Sequence, residues 1–282
     1  MKEYWRSLIR ILSPVALAYT GLALVAFFGS EQLIFQPHPS SYKDTPAILK
    51  LPTSDGGAIS AIHLRNERAH FTVLYSHGNG EDIGDDLPRL SAYQARGFSI
   101  LAFDYQGYGT STGKPSEHNA YEDIGTAYDY LTRKLGIPSS QIIVHGQSLG
   151  GAVAIDLAAR KPVAGLIAES TFLTAFRVRT RWPMVPFDRF RSVDKIPNVN
   201  CPVLVIHGAR DSVIPFRHGR ELFKRAPDPK FSLWLEDAGH NNVIAVAGEK
   251  YWEAITSFAQ LLQSDAPRGE LDSALGGRSS RQ

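Results

Sequence analysis

Cysteine is almost missing from this sequence. Cys201 stands alone among 282 residues, so no internal disulfide can form and no thiolate cluster can hold a metal. Its place before Pro202, at the start of an apolar run, suits a small buried residue rather than a reactive thiol. An excess of one charge is missing too: 30 Lys and Arg face 28 Asp and Glu, and a net +2 gives nucleic acid little to bind. No cluster has metal-ligand spacing, no glycine-rich phosphate loop runs into a lysine, and no segment repeats, so neither a metal nor a cofactor is implied. A chain of this length can bury about three quarters of its unfolded surface in one domain without a staple.

One long apolar run is present. Ile11 to Phe28 is interrupted only by Ser13, Pro14, Thr20 and Gly21. As a helix, about 18 residues rising ~1.5 Å each approach the ~30 Å hydrocarbon core of a bilayer. The run is long for a signal-peptide core, and phenylalanines occupy the positions a cleavage site before Gly29 would need, so it reads as an uncleaved anchor. Lys2, Arg6 and Arg10 precede it and Glu31 follows it, which predicts a cytoplasmic N-terminus and the large domain that follows on the non-cytoplasmic side. The expected organisation is a stub and transmembrane anchor over 1–30, a linker over 31–46, a domain over 47–263 and a disordered tail over 264–282. A chain starting near Pro37 is then expected to be soluble and active.

From Ala47 apolar runs alternate with helical patterns. Strands are expected at Ala47–Leu51, Ala58–Leu64, Phe71–Ser76, Phe98–Phe103, Val163–Ala168, Cys201–Gly208 and Lys230–Leu235, with a further one leading into Ser148. Helices are expected over Gly84–Arg96, from the Ser116 cap to Gly136, over Phe216–Arg225 and over Gly248–Leu262. This rhythm predicts an α/β fold: a mostly parallel central sheet with helices on both faces and sites at the carboxyl ends of its strands.

In Gly146-Gln147-Ser148-Leu149-Gly150 a short apolar run meets a sharp turn and continues at helical spacing. A serine there is exposed at a sheet edge beside the free N–H groups that open a helix, a position suited to attack on a carbonyl. An ordinary strand-to-helix turn would look the same on this stretch alone. Gly109-Thr110-Ser111-Thr112-Gly113 matches the same spacing, but Lys114-Pro115 follows it, so Ser111 lacks the strand and helix of an elbow. Asp211 and His240 also fall after predicted strands, in the chain order nucleophile, acid, histidine. The imidazole would take the serine proton and the carboxylate would orient the imidazole. Glu169, also ending a strand, is the rival acid. Leu149 and Asn79 offer backbone N–H groups for an oxyanion. Asp104, Asp237, His77 and His207 read as residues that shape loops.

The set His77-Gly78-Asn79-Gly80, Asp104-Tyr105-Gln106-Gly107-Tyr108-Gly109, Gly146 to Gly150, Gly208-Ala209-Arg210-Asp211 and Gly239-His240 resembles the α/β-hydrolase superfamily over roughly Ala47 to Leu262. With the apolar run leading into Gln32-Leu33-Ile34-Phe35-Gln36-Pro37, it is similar to a membrane-associated branch that includes protein depalmitoylases and lipid acyl hydrolases. The resemblance implies a Ser148, Asp211, His240 triad with Asn79 and Leu149 in the oxyanion hole, acting on a carboxylic ester or thioester of an acyl lipid or acylated protein. A peptidase or amidase with the same triad, and a binding protein that keeps only the fold, are the alternatives. Where relatives carry a large lid before the acid, this chain has only Phe172 to Asn200, which argues against a deep covered pocket. That segment holds Arg177, Arg179, Arg181, Arg189 and Arg191 among Trp182, Met184 and Phe187. It is either a solvated, carboxylate-paired face or a surface for acyl chains and anionic head groups.

Overall fold

Segments such as Thr72–Ser76 and Ile142–Gln147 have no polar face, so they are stable as strands only when both sides are covered, and every residue in these two is buried. The computed structural model describes residues 2–180, 182 and 184–264, with side chains from residue 12. All but Ser264 of the tail expected to be disordered lies outside the described residues.

Eight strands form one sheet: β1 (Ile48–Pro52), β2 (Ala58–Leu64), β3 (Thr72–Ser76), β4 (Ser99–Phe103), β5 (Ile142–Gln147), β6 (Gly165–Glu169), β7 (Val203–Gly208) and β8 (Lys230–Leu235). Their order is β1-β2-β4-β3-β5-β6-β7-β8. β2 runs antiparallel to both its neighbours, and all pairings from β4 to β8 are parallel. The register sets Ser76 beside Gly146 and Gln147 beside Glu169, so the carboxyl ends of the central strands share one edge.

The helices are α1 (Lys2–Ile34), α2 (Ile83–Ala95), α3 (Glu117–Asp129), α4 (Leu149–Arg160), α5 (Ser192–Lys195), α6 (Arg217–Arg225), α7 (Val243–Ala247) and α8 (Glu249–Gln263). On one face of the sheet Ala120 and Ile124 of α3, Val153 and Leu157 of α4 and Leu222 of α6 join the core. On the other, Leu90 and Tyr93 of α2 pack with Tyr251, Ile255 and Phe258 of α8. The expected α/β architecture is therefore the observed one.

Two local differences have physical causes. The single helix expected from Ser116 to Gly136 ends at Asp129 and widens into a π-helical turn over Tyr130–Lys134, closed by the Leu135 amide donating to the Tyr130 carbonyl at 3.0 Å. The stretch 31–46, expected to be a linker, is built into the domain. α1 continues to Ile34, and its apolar part, Leu12–Ile34, has a mean hydropathy of 1.7, long and apolar enough to cross a membrane. Directly after it Phe35 is 4% exposed and packs edge-on against Phe190, with centroids 5.7 Å apart. The Ser41 amide then donates to Asp82 (2.8 Å) and the Tyr42 hydroxyl to Asp104 (2.5 Å), strapping the segment along the functional edge of the sheet. Its Gln-Pro-His-Pro composition hid this, because one buried phenylalanine carries no period.

Candidate active site

The β5–α4 junction forces an unusual backbone on Ser148, with φ 52° and ψ −116°, a region where side chains other than glycine are rare. Neighbouring bonds hold it there. The Ser148 amide donates to the Glu169 carbonyl at 2.9 Å, and the Ser148 carbonyl accepts from the Gly151 amide (3.1 Å) and the Thr171 hydroxyl (2.7 Å). The flanking glycines are required by close approach: a Cβ at Gly146 would run into the Gly150 backbone, and one at Gly150 into the Ser76 and His77 carbonyls. The turn thereby lifts the hydroxyl clear of the sheet edge at the start of α4.

Asp211, after β7, and His240, after β8, reach the same point. Asp211 Oδ2 lies 2.7 Å from His240 Nδ1, and His240 Nε2 lies 3.1 Å from Ser148 Oγ. A carboxylate only accepts, so Nδ1 carries the proton and Nε2 is free to accept from the serine hydroxyl. The other carboxylate oxygen of Asp211 accepts from the Val213 and Ile214 amides at 2.9 and 2.7 Å, which fixes its plane. The His240 loop is tied down by the Gly239 amide donating to Asn242 (2.7 Å) and by an ion pair between Arg210 and Asp237 (2.6 Å).

The two residues named for an oxyanion also line this cleft. Neither the Leu149 nor the Asn79 backbone N–H meets an acceptor among the described residues, whereas the Gly78 amide is taken by Glu81 at 2.9 Å. The Asn79 side chain is engaged at both its oxygen and its nitrogen. Its Oδ1 accepts from the Tyr108 hydroxyl (2.6 Å) and the Gln36 amide (3.0 Å), and its Nδ2 donates to the Ile34 carbonyl (2.6 Å).

The rivals sit elsewhere. Ser111 Oγ donates to the Asp104 carbonyl and accepts from the Ser60 amide, bracing a turn. Glu169 is wholly buried, and its Oε2 accepts from the Tyr251 hydroxyl (2.6 Å), lies 3.1 Å from His145 Nε2 and pairs with Arg89 at 3.3 Å. Burial pushes this carboxyl up, but Arg89 and His145 outweigh it and bring it down to about 2. Beside it Asp86, 3.8 Å from Arg89, is pushed up by burial to about 7. Nothing in the spacing of Arg89, His145 and Tyr251 announced this buried network, because each lies in an otherwise ordinary helix or strand.

Asp104 faces inward, its Oδ1 accepting from the Ile83 amide at 2.8 Å and lying 3.4 Å from His77 Nε2, an ion-pair separation outside hydrogen-bond geometry. Burial works against a charge on His77, yet Asp104 prevails and raises it to about 9. His207 Nε2 donates to the Ile214 carbonyl at 2.9 Å and braces the Asp211 loop. Burial pushes the Cys201 thiol up to about 12. His38 and, from the start of α2, Asp82 and Asp85 bring ligand atoms within 4.8 Å of one another, but Asp82 is spent on the α2 cap and on Ser41.

The cleft over Ser148 and His240 has a volume of about 680 Å³. The short Phe172 to Asn200 segment supplies Phe176, Val178 and Met184 to one wall, and α1 supplies the other. Of the arginines, Arg189 grips α1 through the Phe27 carbonyl and Ser30 hydroxyl, both at 3.2 Å, and Arg191 pairs with Asp194 at 2.5 Å. Arg181 lies outside the described residues.

Residues 67–190 match the family model described as serine aminopeptidase, S33. The chain is 39% identical over 220 residues to human alpha/beta hydrolase domain-containing protein 17B, covering 76% of this chain and 75% of that protein. It is 41% identical over 202 residues to alpha/beta hydrolase domain-containing protein aho-3 of Caenorhabditis elegans, 68% of this chain but only 58% of the nematode protein. An esterase from Pyrococcus furiosus shares the fold, with a TM-score of 0.67 over 80% of this chain and 98% of the esterase at 22% identity.

Proposed function

This chain belongs to the α/β-hydrolase family, and from that premise we propose that it is a serine hydrolase that cleaves a carboxylic ester or thioester through an acyl-enzyme at Ser148. The observation that carries the proposal is the unbroken run from Asp211 to His240 to Ser148, at 2.7 and 3.1 Å, ending on a strained serine at the mouth of a cleft. Ser148 Oγ attacks the acyl carbonyl while its proton passes to His240 Nε2. Asp211 stabilises the imidazolium, and the Leu149 and Asn79 amides receive the oxyanion. Collapse of the tetrahedral adduct expels the alcohol or thiol, which takes the proton from His240. Water, activated by the same imidazole, then releases the carboxylic acid and restores Ser148.

A peptidase or amidase reading is favoured by one observation, the serine aminopeptidase description of the matching family model. A matched ester and amide sharing one acyl group separates the two. Ester turnover that disappears in Ser148→Ala, with the amide untouched, supports the esterase reading; faster amide turnover reverses the order. Protein that turns over neither and takes no fluorophosphonate would be a binding protein.

We further read α1 as a membrane anchor with its N-terminus in the cytoplasm, supported by the apolar stretch Leu12–Ile34 and the preceding Lys2, Arg6 and Arg10. Digestion of the domain by protease added to the cytoplasmic side of sealed vesicles would overturn this orientation.

A further inference from the structure

One face of α1 enters the active-site cleft. Leu22, Ala26, Ser30 and Leu33, spaced four, four and three residues apart, make a single stripe about 16 Å long along the helix axis, and all four line the same cleft as Ser148 and His240. Phe176, Val178 and Met184 face them across the cleft. Leu22 and Leu33 are 52% and 73% exposed, so the apolar ends of this stripe are largely uncovered among the described residues, while Ser30 between them is buried against Arg189.

The opposite face of the helix is equally apolar and bare. Leu24 and Phe28 are 52% and 76% exposed, a surface that suits lipid and not water. Its end is nevertheless fixed to the domain. Phe27 stacks edge-on against Phe187 at 5.4 Å, Arg189 lies over the Phe27 ring at 5.4 Å, and Asn79 holds the Ile34 carbonyl and Gln36 amide. The helix that would enter the bilayer is thus clamped to the loop whose Asn79 lines the same cleft as the serine.

We propose that α1 is one wall of the acyl site, so that a long acyl chain reaches Ser148 from the bilayer by lying along Leu22, Ala26 and Leu33. The proposal rests on the serine-hydrolase reading above and deepens it: the substrate is a membrane-resident long-chain ester or thioester, not a short soluble one. A volume of about 680 Å³ is enough for such a chain, since sites for molecules of comparable size occupy roughly 300–1,000 Å³. The lining is mostly apolar, with Ser30, Arg179 and Thr180 belonging to it alongside the polar groups around Ser148.

The test uses the full chain in micelles and compares Ala26→Trp, which fills the stripe, with Leu24→Trp, which puts the same indole on the opposite face. The readout is the ratio of kcat/KM for a dodecanoyl ester to that for an acetyl ester of the same alcohol, which cancels differences in the amount of folded protein. Ala26→Trp should lower the ratio about tenfold or more, the effect of excluding about two methylenes, and Leu24→Trp should leave it unchanged. If Ala26→Trp is wholly inactive, Met184→Trp on the facing wall must lower the ratio instead. A ratio unchanged in the Ala26 variant, or lowered equally by Leu24→Trp, overturns the proposal.

A second arm needs no hydrolysis. Ser148→Ala released from micelles in native mass spectrometry should retain one dodecanoic acid, and the added Ala26→Trp should abolish that retention. If the wild type cleaves neither ester, the serine-hydrolase reading fails and this arm alone decides the groove, with no retention, or retention unaffected by Ala26→Trp, overturning it. Offering the same chain in vesicles as a phospholipid and as an S-acylated peptide identifies its source: the wild type should prefer one, and Ala26→Trp should lower turnover of that one.

Discussion

Glu169→Gln should separate stability from catalysis, because Glu169 is the carboxylate that neutralises Arg89 beneath the elbow and makes no contact with His240. A glutamine can still present an oxygen to Tyr251, but Arg89 keeps only Asp86 at 3.8 Å, itself held toward its neutral form by burial. Removing one partner of a buried pair costs about 3–5 kcal/mol. The carboxyl's own shift gives a similar figure: a fall from 4.5 to about 2 corresponds to ~3 kcal/mol. For a folding unit of about 230 residues unfolding with ~2.1 cal/mol/K per residue, ~3 kcal/mol lowers Tm by about 6 °C. The sign with pH follows from the depressed carboxyl. Its stabilisation is complete above 4.5 and is lost as the pH falls through about 2, so the gap between wild type and variant should close over that window. Tryptophan-fluorescence melts at pH 7 and at steps down to pH 3 measure this, alongside ester turnover at 25 °C, which should stay within about twofold per folded molecule. An unchanged Tm would refute the charge argument. A loss of about a thousandfold in turnover with Tm intact would make Glu169 the catalytic acid.

Asp211→Asn should do the reverse, lowering kcat by about 10⁴ through loss of the correct His240 tautomer while Tm moves little; turnover above a tenth of wild type would remove Asp211 from its role. Chains truncated at the N-terminus should divide at Phe35. One starting at Gln32 keeps the buried ring and the bonds to Asn79, whereas one starting at Pro37 loses both and should be destabilised by about 3 kcal/mol or more. Equal melting temperatures for the two would show that the strap contributes nothing.

The sheet, its helices and the meeting of Ser148, Asp211 and His240 were legible in the sequence because each rests on a local signal. Parallel buried strands have no polar face, caps and glycines mark helix ends, and a topology with parallel strands brings their carboxyl ends together whatever the intervening length. Features that depend on pairing between distant and individually ordinary residues were not legible. Arg89 looks like any solvent-facing arginine on α2 until Glu169 is placed beside it. Phe35 looks like part of a linker until Phe190 covers it. Leu22, Ala26, Ser30 and Leu33 form a helical stripe, but an all-apolar helix has stripes in every direction, and only the docked domain picks out which one faces the serine.

The central claim is that Ser148 is the nucleophile, and the most direct test is to map where a fluorophosphonate attaches. Intact mass spectrometry of the labelled full chain, followed by peptide mapping, should find one adduct per molecule on the peptide containing Ser148, and none after Ser148→Ala, while Ser111→Ala labels like the wild type. An adduct on Ser111 or any other residue, or ester turnover by Ser148→Ala above a tenth of wild type, would contradict the account.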